Sequence, residues 1–421
     1  MIVSVLSHLR NSLLWSLRRP AVWLGIALAA AASAGLILDS PESNGRLWPY
    51  VWLAGVTEPM KSPAWVHIDR QPALIWRAVD ADAPLSMMPF DSPESKQPLI
   101  DYPGVDPQIW WAVRASADSF HLVWRQPDGA YHNALIASDG RTLRGPIDLP
   151  GRAKSDAILL PQTRGHAALL WHDPDSAQVV TVDLDQEGRP GPVRTLPFRH
   201  VARFSAAVDR HDRLHAAWLS AQEPDVWTVR YQFDPTADEG QPSAAELHTF
   251  STQPGESIVA FALGLDDTHG YVVWSITNAA QPDVETVFVL PFSLGSLSAN
   301  TPIELHVPSK VRDDAVDSPY GRLYRLAPGT APFAALRWPV ISSSQHSISP
   351  LVVAARLDDG WRPAVVYFQA GRLLGFQVIA SHPANAGPPA LAFDAEGKLY
   401  VAWPGLRRTA TILHVASSKR H

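Results

Sequence analysis

The chain contains no cysteine among its 421 residues. That excludes disulfide bridges, thiolate nucleophiles, iron–sulfur ligation and cysteine-based zinc sites together. It leaves the compartment open, because a core of this size needs no covalent staple. An excess of basic charge is missing as well. The net charge is -6 and the pI lies near 6.2, whereas a nucleic-acid binder carries a basic patch and a high pI. No Gly-x-x-x-x-Gly-Lys phosphate cradle and no Gly-x-Ser-x-Gly nucleophile elbow occurs. Apolar residues make up 46%, which is ordinary for a globular chain.

What is abundant is proline and a tryptophan beat. The chain holds 38 prolines. Proline has no place in the middle of a sheet, so many loops and edge positions are implied. A tryptophan ends a short apolar phrase seven times: at Trp76, Trp124, Trp171, Trp218, Trp274, Trp338 and Trp403. Subtracting neighbouring numbers gives steps of 48, 47, 47, 56, 64 and 65 residues. A period of roughly 40–50 residues holding several short strands is the mark of a β-propeller blade.

The stretch from Arg203 to Phe250 reads as one such blade. Arg203–Val208 is a short strand, Asp209–Asp212 a polar turn, and Leu214–Leu219 a second strand apolar on both faces. Asp225–Phe233 and Glu246–Phe250 supply the third and outer strands. An inner strand packed between two neighbouring blades meets apolar surface on both sides, so its hydrophobic run is continuous. Its tryptophan then fills the gap between blades. Asp at the start of each turn suits a tight hairpin, because its side chain caps the backbone. The same turn recurs at Asp266–His269 and Asp394–Lys398.

The last blade runs from about Ala390 to Ala416 and offers only three strands. The missing strand is available near residues 46–54. Asp39–Ser43 recurs as Asp91–Ser95, and Leu47 and Tyr50 match Leu99 and Tyr102 at the same offset. The expected fold is therefore all-β, a seven-bladed propeller over 39–421, with six or eight blades as alternatives.

Ahead of it, Ala21 to Leu38 carries no charge. As a helix it spans about 27 Å at 1.5 Å per residue, close to the ~30 Å hydrocarbon core. Arg10, Arg18 and Arg19 precede it and Asp39 and Glu42 follow. That asymmetry keeps the amino terminus in the cytoplasm. The expectation is a basic, amphipathic leader over 1–19 and a transmembrane signal anchor over 20–38. The propeller then lies outside the cytoplasm. Two alternatives stay open: cleavage after Ala32-Ser33-Ala34 with release of the mature protein, or a buried helix.

The phrases of the form Asp-x-x-Gly-x-Leu-Tyr-x-x-Trp, with turns such as Ala137–Leu143, resemble the sialidase-like, Asp-box class of β-propellers. The box of that class reads Ser-x-Asp-x-Gly-x-x-Trp. Residues 137–143 keep the Asp and Gly, with a Thr following, but lack the initial Ser and final Trp. Asp183–Gly188 and Asp358–Trp361 are looser echoes. The resemblance implies a propeller and a structural turn. Sialidases also use three arginines, a tyrosine nucleophile with a glutamate, and an aspartate. The Arg-Ile-Pro phrase that carries the first arginine is absent, so none of these residues is carried over.

No catalytic, cofactor-binding or metal-binding residue is nominated. His211 and His215 flank Asp212 near Asp209, but a turn intervenes and the pair reads as solvated. His166 and His172 read as strand-end histidines. Asp106, Asp173 and Asp225 fall near blade ends without a fixed orientation. Trp227 and Trp361 are surface aromatics, and packing is their default role. The functional expectation is a membrane-anchored binding or scaffold module without a cofactor. The alternative is a glycan-binding lectin or a glycoside hydrolase of the sialidase-like class. The expected partners are the membrane, and a protein or glycan at the propeller face, with no nucleic acid.

Overall fold

A computed structural model describes residues 37–38, 50–54, 64–68, 71–77, 85–89, 97–100, 110–126, 128–152, 157–173, 176, 178–209, 211–235, 244–307, 315–318, 321–324, 334–341, 348–357, 360–379, 385–393, 398–407 and 410–417. These residues are strands and connections throughout, apart from one 3-10 turn at Thr163–Gly165. No helix among them is long and apolar enough to cross a membrane. The leader, most of the 20–38 span, the 39–43 and 91–95 repeat, Asp106 and the Asp394–Gly397 turn lie outside them. Ile37–Leu38 is described, and it is strand rather than helix. It pairs antiparallel with Val51 and Trp52, which take up the backbone groups a helix would satisfy internally.

The strands fall into antiparallel runs of four, taken here in chain order. The first is Ala64–Ile68, Gln71–Arg77, Leu85–Pro89 and Gln97–Ile100. The second is Trp110–Arg114, Ser119–Arg125, Ala130–Ala137 and Thr142–Arg152. The third is Ala157–Pro161, Ala167–Asp173, Gln178–Leu184 and Arg194–Thr195. The fourth is Val201–Val208, Leu214–Glu223, Val226–Phe233 and Ala245–Ser251, close to the blade read from sequence. The fifth is Glu256–Leu265, His269–Asn278, Gln281–Ser293 and Ile303–Glu304. The sixth is Ala335–Ile341, Ile348–Leu357, Gly360–Gln369 and Arg372–Val378. A single strand pair, Glu285 with Leu336, joins the fifth and sixth. The last run is Ala390–Phe393, Leu399–Arg407 and Ala410–Ser417, with Tyr50–Ala54 hydrogen-bonded to its outer strand.

First strands touch in succession around an axis. Ala64–Ile68 meets Trp110–Arg114, which meets Ala157–Pro161, and so on to Ala390–Phe393. That strand returns to Ala64–Ile68, so the contacts form a cycle. The protein is all-β and propeller-like.

The second strands explain the beat. Trp124, Trp171, Trp218, Trp274 and Trp403 all sit on them and are at most 2% exposed. Each packs back on the preceding run. The Trp171 ring lies 5.6 Å from Tyr131, Trp218 lies 4.4 Å from Phe198, and Trp274 lies 5.0 Å from Phe250. Trp403 shares a buried cluster with Val352, Val365 and Tyr367, and Trp124 shares one with Val66, Ile75 and Leu85. A bulky ring placed once per run stabilises each junction by excluding water from it.

Trp338 departs from the pattern. It lies on the first strand of its run and is half-buried. The second strand there, Ile348–Leu357, carries no tryptophan. The long step before Trp338 has a visible source. A hairpin, Ala315–Ser318 with Gly321–Tyr324, is inserted and pairs Tyr324 with Phe376 on the outer strand of the sixth run.

Candidate functional site

Antiparallel order gives each run two ends. One end carries the turns from first to second strand and from third to fourth. The other carries the turns from second to third strand, and is called the front here.

The end opposite the front is built by aspartate-capped turns. Asp209 Oδ1 accepts the N–H groups of His211 at 2.8 Å and Arg213 at 3.0 Å. Asp266 Oδ1 accepts those of Thr268 and His269, both at 2.7 Å. Asp139 caps Arg141 in the 137–143 turn, and Asp185 caps Glu187 and Arg189. These carboxylates hold backbone, as short polar turns require.

The solvated reading of His215 is corrected here. The strand after the turn carries its ring inward, and it is 2% exposed. Its Nδ1 lies 2.6 Å from the Tyr231 hydroxyl and its Nε2 lies 3.4 Å from Asp209 Oδ2. His211 is exposed, so the two histidines share no site. Burial lowers the His215 pKa despite Asp209 beside it. Burial pushes the Asp209 carboxyl up, but hydrogen bonds from Arg213, His211 and His215 outweigh that and hold it at about 2.

Equivalent positions latch one run to another. His121, three residues before Trp124 as His215 is before Trp218, is fully buried and its Nε2 meets the Gly165 carbonyl of the next run at 2.9 Å. Asn133 donates to the Gly188 carbonyl at 3.0 Å. Tyr271 donates to Asp266 Oδ2 at 2.6 Å and accepts the Gly371 N–H at 3.1 Å. These groups are structural; they reach no open surface.

The front carries the site. Between the second and third runs lies a cleft of about 700 Å³. Its walls come from the turn at Gln126–Ala130, from His132, from the outer strand at Asp148–Gly151, and from Asp173, Val180 and Val193 of the next run. Its floor is aromatic, where Tyr131 meets the buried Trp171. Gly151 has φ +100, and a Cβ there would stand 2.4 Å from Trp171 Cζ2. Only glycine lets this strand rest on the indole.

Among the described residues three carboxylates line the cleft and no lysine or arginine does. Asp148, with its side chain 90% exposed, lies 2.9 Å from His132 Nδ1. The His132 ring stacks on Trp124 with centroids 5.6 Å apart. Asp173 accepts the Ser176 hydroxyl at 2.6 Å, and Asp128 accepts the Ala130 N–H at 3.0 Å. Val193 stands exposed at the rim. Apolar floor, ordered acceptors and negative potential together suit a ligand rich in hydroxyl or ammonium donors.

Of the residues considered from sequence, Asp173 is in the cleft. Asp225 is not: it takes a left-handed turn conformation, φ 64, and its carbonyl accepts the Thr252 N–H. Trp227 packs on the core between the fourth and fifth runs and donates from Nε1 to Thr252 Oγ1 at 3.2 Å. Asp128, His132 and Asp148 were not singled out. Each is ordinary in its own turn or strand, and only the third run behind them makes a wall.

No protein family matches the chain, and no curated protein does. In structure it is similar to the polysaccharide lyase Uly1, with a TM-score of 0.53 and 9% identity, over 86% of this chain and 90% of that one. It also resembles an ulvanlyase of a new family of polysaccharide lyase bound to -[GlcA(1-4)Rha3S]-, with a TM-score of 0.46 and 10% identity, over 72% and 78%. A third is AofleA from Arthrobotrys oligospora, with a TM-score of 0.43 and 9% identity, over 79% and 89%. At 9% identity the likeness to Uly1 is one of fold.

Proposed function

We propose that the protein is a seven-bladed propeller serving as a ligand-binding module, and that the front cleft takes a neutral or amine-bearing saccharide. The seven four-strand runs and the cycle of first-strand contacts support the blade number. The Tyr50–Ala54 strand supports closure of the last blade from the amino-terminal side. The Asp-capped turns support kinship with the sialidase-like class. A membrane-spanning stretch within 20–38, ending ahead of the Ile37–Leu38 strand, is proposed to hold the propeller outside the cytoplasm. Protease protection of sealed vesicles tests that placement: the propeller should be digested only when its side of the membrane is exposed.

One observation carries the binding reading. Among the described residues, the cleft combines an apolar, aromatic floor with three carboxylates and no lysine or arginine. Sugars present both apolar C–H faces and hydroxyl donors, and amino sugars add a positive charge. Binding to a panel of immobilised oligosaccharides is the test. Val193→Arg puts a cation on an exposed rim position without touching the core. Together with Asp148→Ala it is expected to weaken binding tenfold or more, since charge-assisted hydrogen bonds contribute about 1.5–3 kcal/mol each. Binding unchanged in both variants overturns the assignment to this cleft.

A further inference from the structure

A second feature of the front involves different residues. Where the fifth and sixth runs meet, the innermost strand of the sixth is bulged between Arg337 and Val340. Inside the bulge Trp338 has φ 51. Bulky residues rarely adopt that left-handed conformation. It costs free energy and persists only where the surroundings impose it.

The surroundings do impose it. The Trp338 N–H donates to Glu285 Oε1 at 3.1 Å. The other oxygen of that carboxylate accepts the hydroxyl of the fully buried Ser275 at 2.6 Å. Glu285 and Ser275 belong to the preceding run, so one sheet holds the next in its strained form. In a regular strand, Arg337 and Trp338 would point to opposite faces. In this bulge both stay partly accessible, the Arg337 side chain to 18%.

The result is an ordered polar and aromatic patch. The Arg337 guanidinium lies 5.3 Å from the Trp338 ring and 4.8 Å from the ring of Trp361, which starts the third strand. Its Nε donates to the Asp283 carbonyl, and Nη2 pairs with the Asp283 carboxylate. Nη1 has no partner among the described residues. The Asp283 side chain is 85% exposed. Stacking fixes the guanidinium plane and leaves its in-plane N–H groups as donors. The patch therefore offers a donor and a carboxylate acceptor side by side, next to two partly exposed indoles.

That arrangement matches one chemistry. In a vicinal diol each hydroxyl both donates and accepts, so one satisfies Asp283 and the other Arg337. The C–H face of the same ring covers an indole. Asp283 and Glu285 stand against two arginines, Arg337 and the exposed Arg356 that pairs with Trp361 across the sheet, so the charges balance and recognition rests on the hydroxyls. We propose that Trp338, Trp361, Arg337 and Asp283 form a saccharide subsite at the inner rim, selective for a pyranose bearing a vicinal diol. It rests on residues separate from the cleft, and neither site requires the other.

The test is saturation-transfer NMR on the full chain. The probes are the methyl pyranosides of glucose, mannose and galactose, with fully O-methylated methyl glucoside as the diol-free control. The free glycosides are expected to receive saturation, and the methylated one much less. Asp283→Ala, at an exposed position, and Arg337→Lys, which keeps the charge but loses the fork, are each expected to weaken binding at least tenfold. The urea midpoint of Asp283→Ala should stay at the wild-type value, and in a Val193→Arg, Asp148→Ala background, which silences the cleft, a signal should persist and still fall on Asp283→Ala. The subsite is overturned if no diol-bearing glycoside receives saturation. It is also overturned if Asp283→Ala and Arg337→Lys bind as wild type, or if the Val193→Arg, Asp148→Ala background abolishes the signal, which puts binding in the cleft.

Discussion

Replacing Trp274 by alanine should destabilise the fold far more than replacing Trp338. Trp274 is 2% exposed and stacks on Phe250 at 5.0 Å and Phe288 at 5.4 Å, with His248 at 6.3 Å. A buried tryptophan removes roughly 200 Å² from water, or about 5 kcal/mol at ~25 cal/mol per Å². A compact unfolded state lowers that figure by roughly 10–40%. Large-to-small changes of this kind cost about 3–5 kcal/mol, cavity included. Trp338 is half-buried at the rim, and its cation–π contact at 5.3 Å contributes about 0.5–1 kcal/mol. Urea unfolding followed by circular dichroism should separate the two by at least about 2 kcal/mol. Equal losses, or a larger loss at Trp338, would refute the view that second-strand tryptophans are the wedges between sheets.

Further outcomes follow from the same contacts. Tyr271→Phe removes a buried hydroxyl that joins Asp266 to the Gly371 N–H, leaving both short of a partner. A loss of about 1–3 kcal/mol is expected in urea unfolding, and no loss would contradict the latch. Gly188→Ala sets a Cβ 2.3 Å from Asn133 Nδ2 at φ +77. It should destabilise by about 1–3 kcal/mol, whereas Gly255→Ala, with open space around it, should show only the left-handed penalty of about 1 kcal/mol. Burial holds the pKa values of His121 and His215 below 6.5. The unfolded chain then binds more protons as pH falls, so stability is complete above about pH 6.5 and declines below it. Asp209 adds a second decline as pH drops from 3.8 towards about 2. A urea midpoint that stays flat between pH 7 and 5 would contradict the histidine part.

Much of the fold was legible because inner strands write a continuous apolar run with a ring at one end. Trp124, Trp171, Trp218, Trp274 and Trp403 announced second strands through that physics. Trp338 misled, because a first strand facing the axis is also apolar. Its neighbours Glu285 and Asp283 lie more than fifty residues away, so no local pattern betrays the bulge. His215 was misread because the strand begins at Leu214, one residue past the turn. The cleft was invisible for a different reason. Gly151 looks like any loop glycine until Trp171 of the next sheet lies beneath it.

The most direct test of the closed ring is a cross-link between the chain's two ends. Trp52 and Val415 are paired across neighbouring antiparallel strands, where Cα atoms lie about 4.5–5.5 Å apart, within disulfide reach. The chain has no cysteine of its own, so the double variant Trp52→Cys with Val415→Cys has a single pairing available. Oxidation should give a circularised monomer with altered mobility on a non-reducing gel, while the offset pair Trp52→Cys with Ile412→Cys should stay open. An uncrosslinked chain, or dimers alone, from the first pair would contradict the ring.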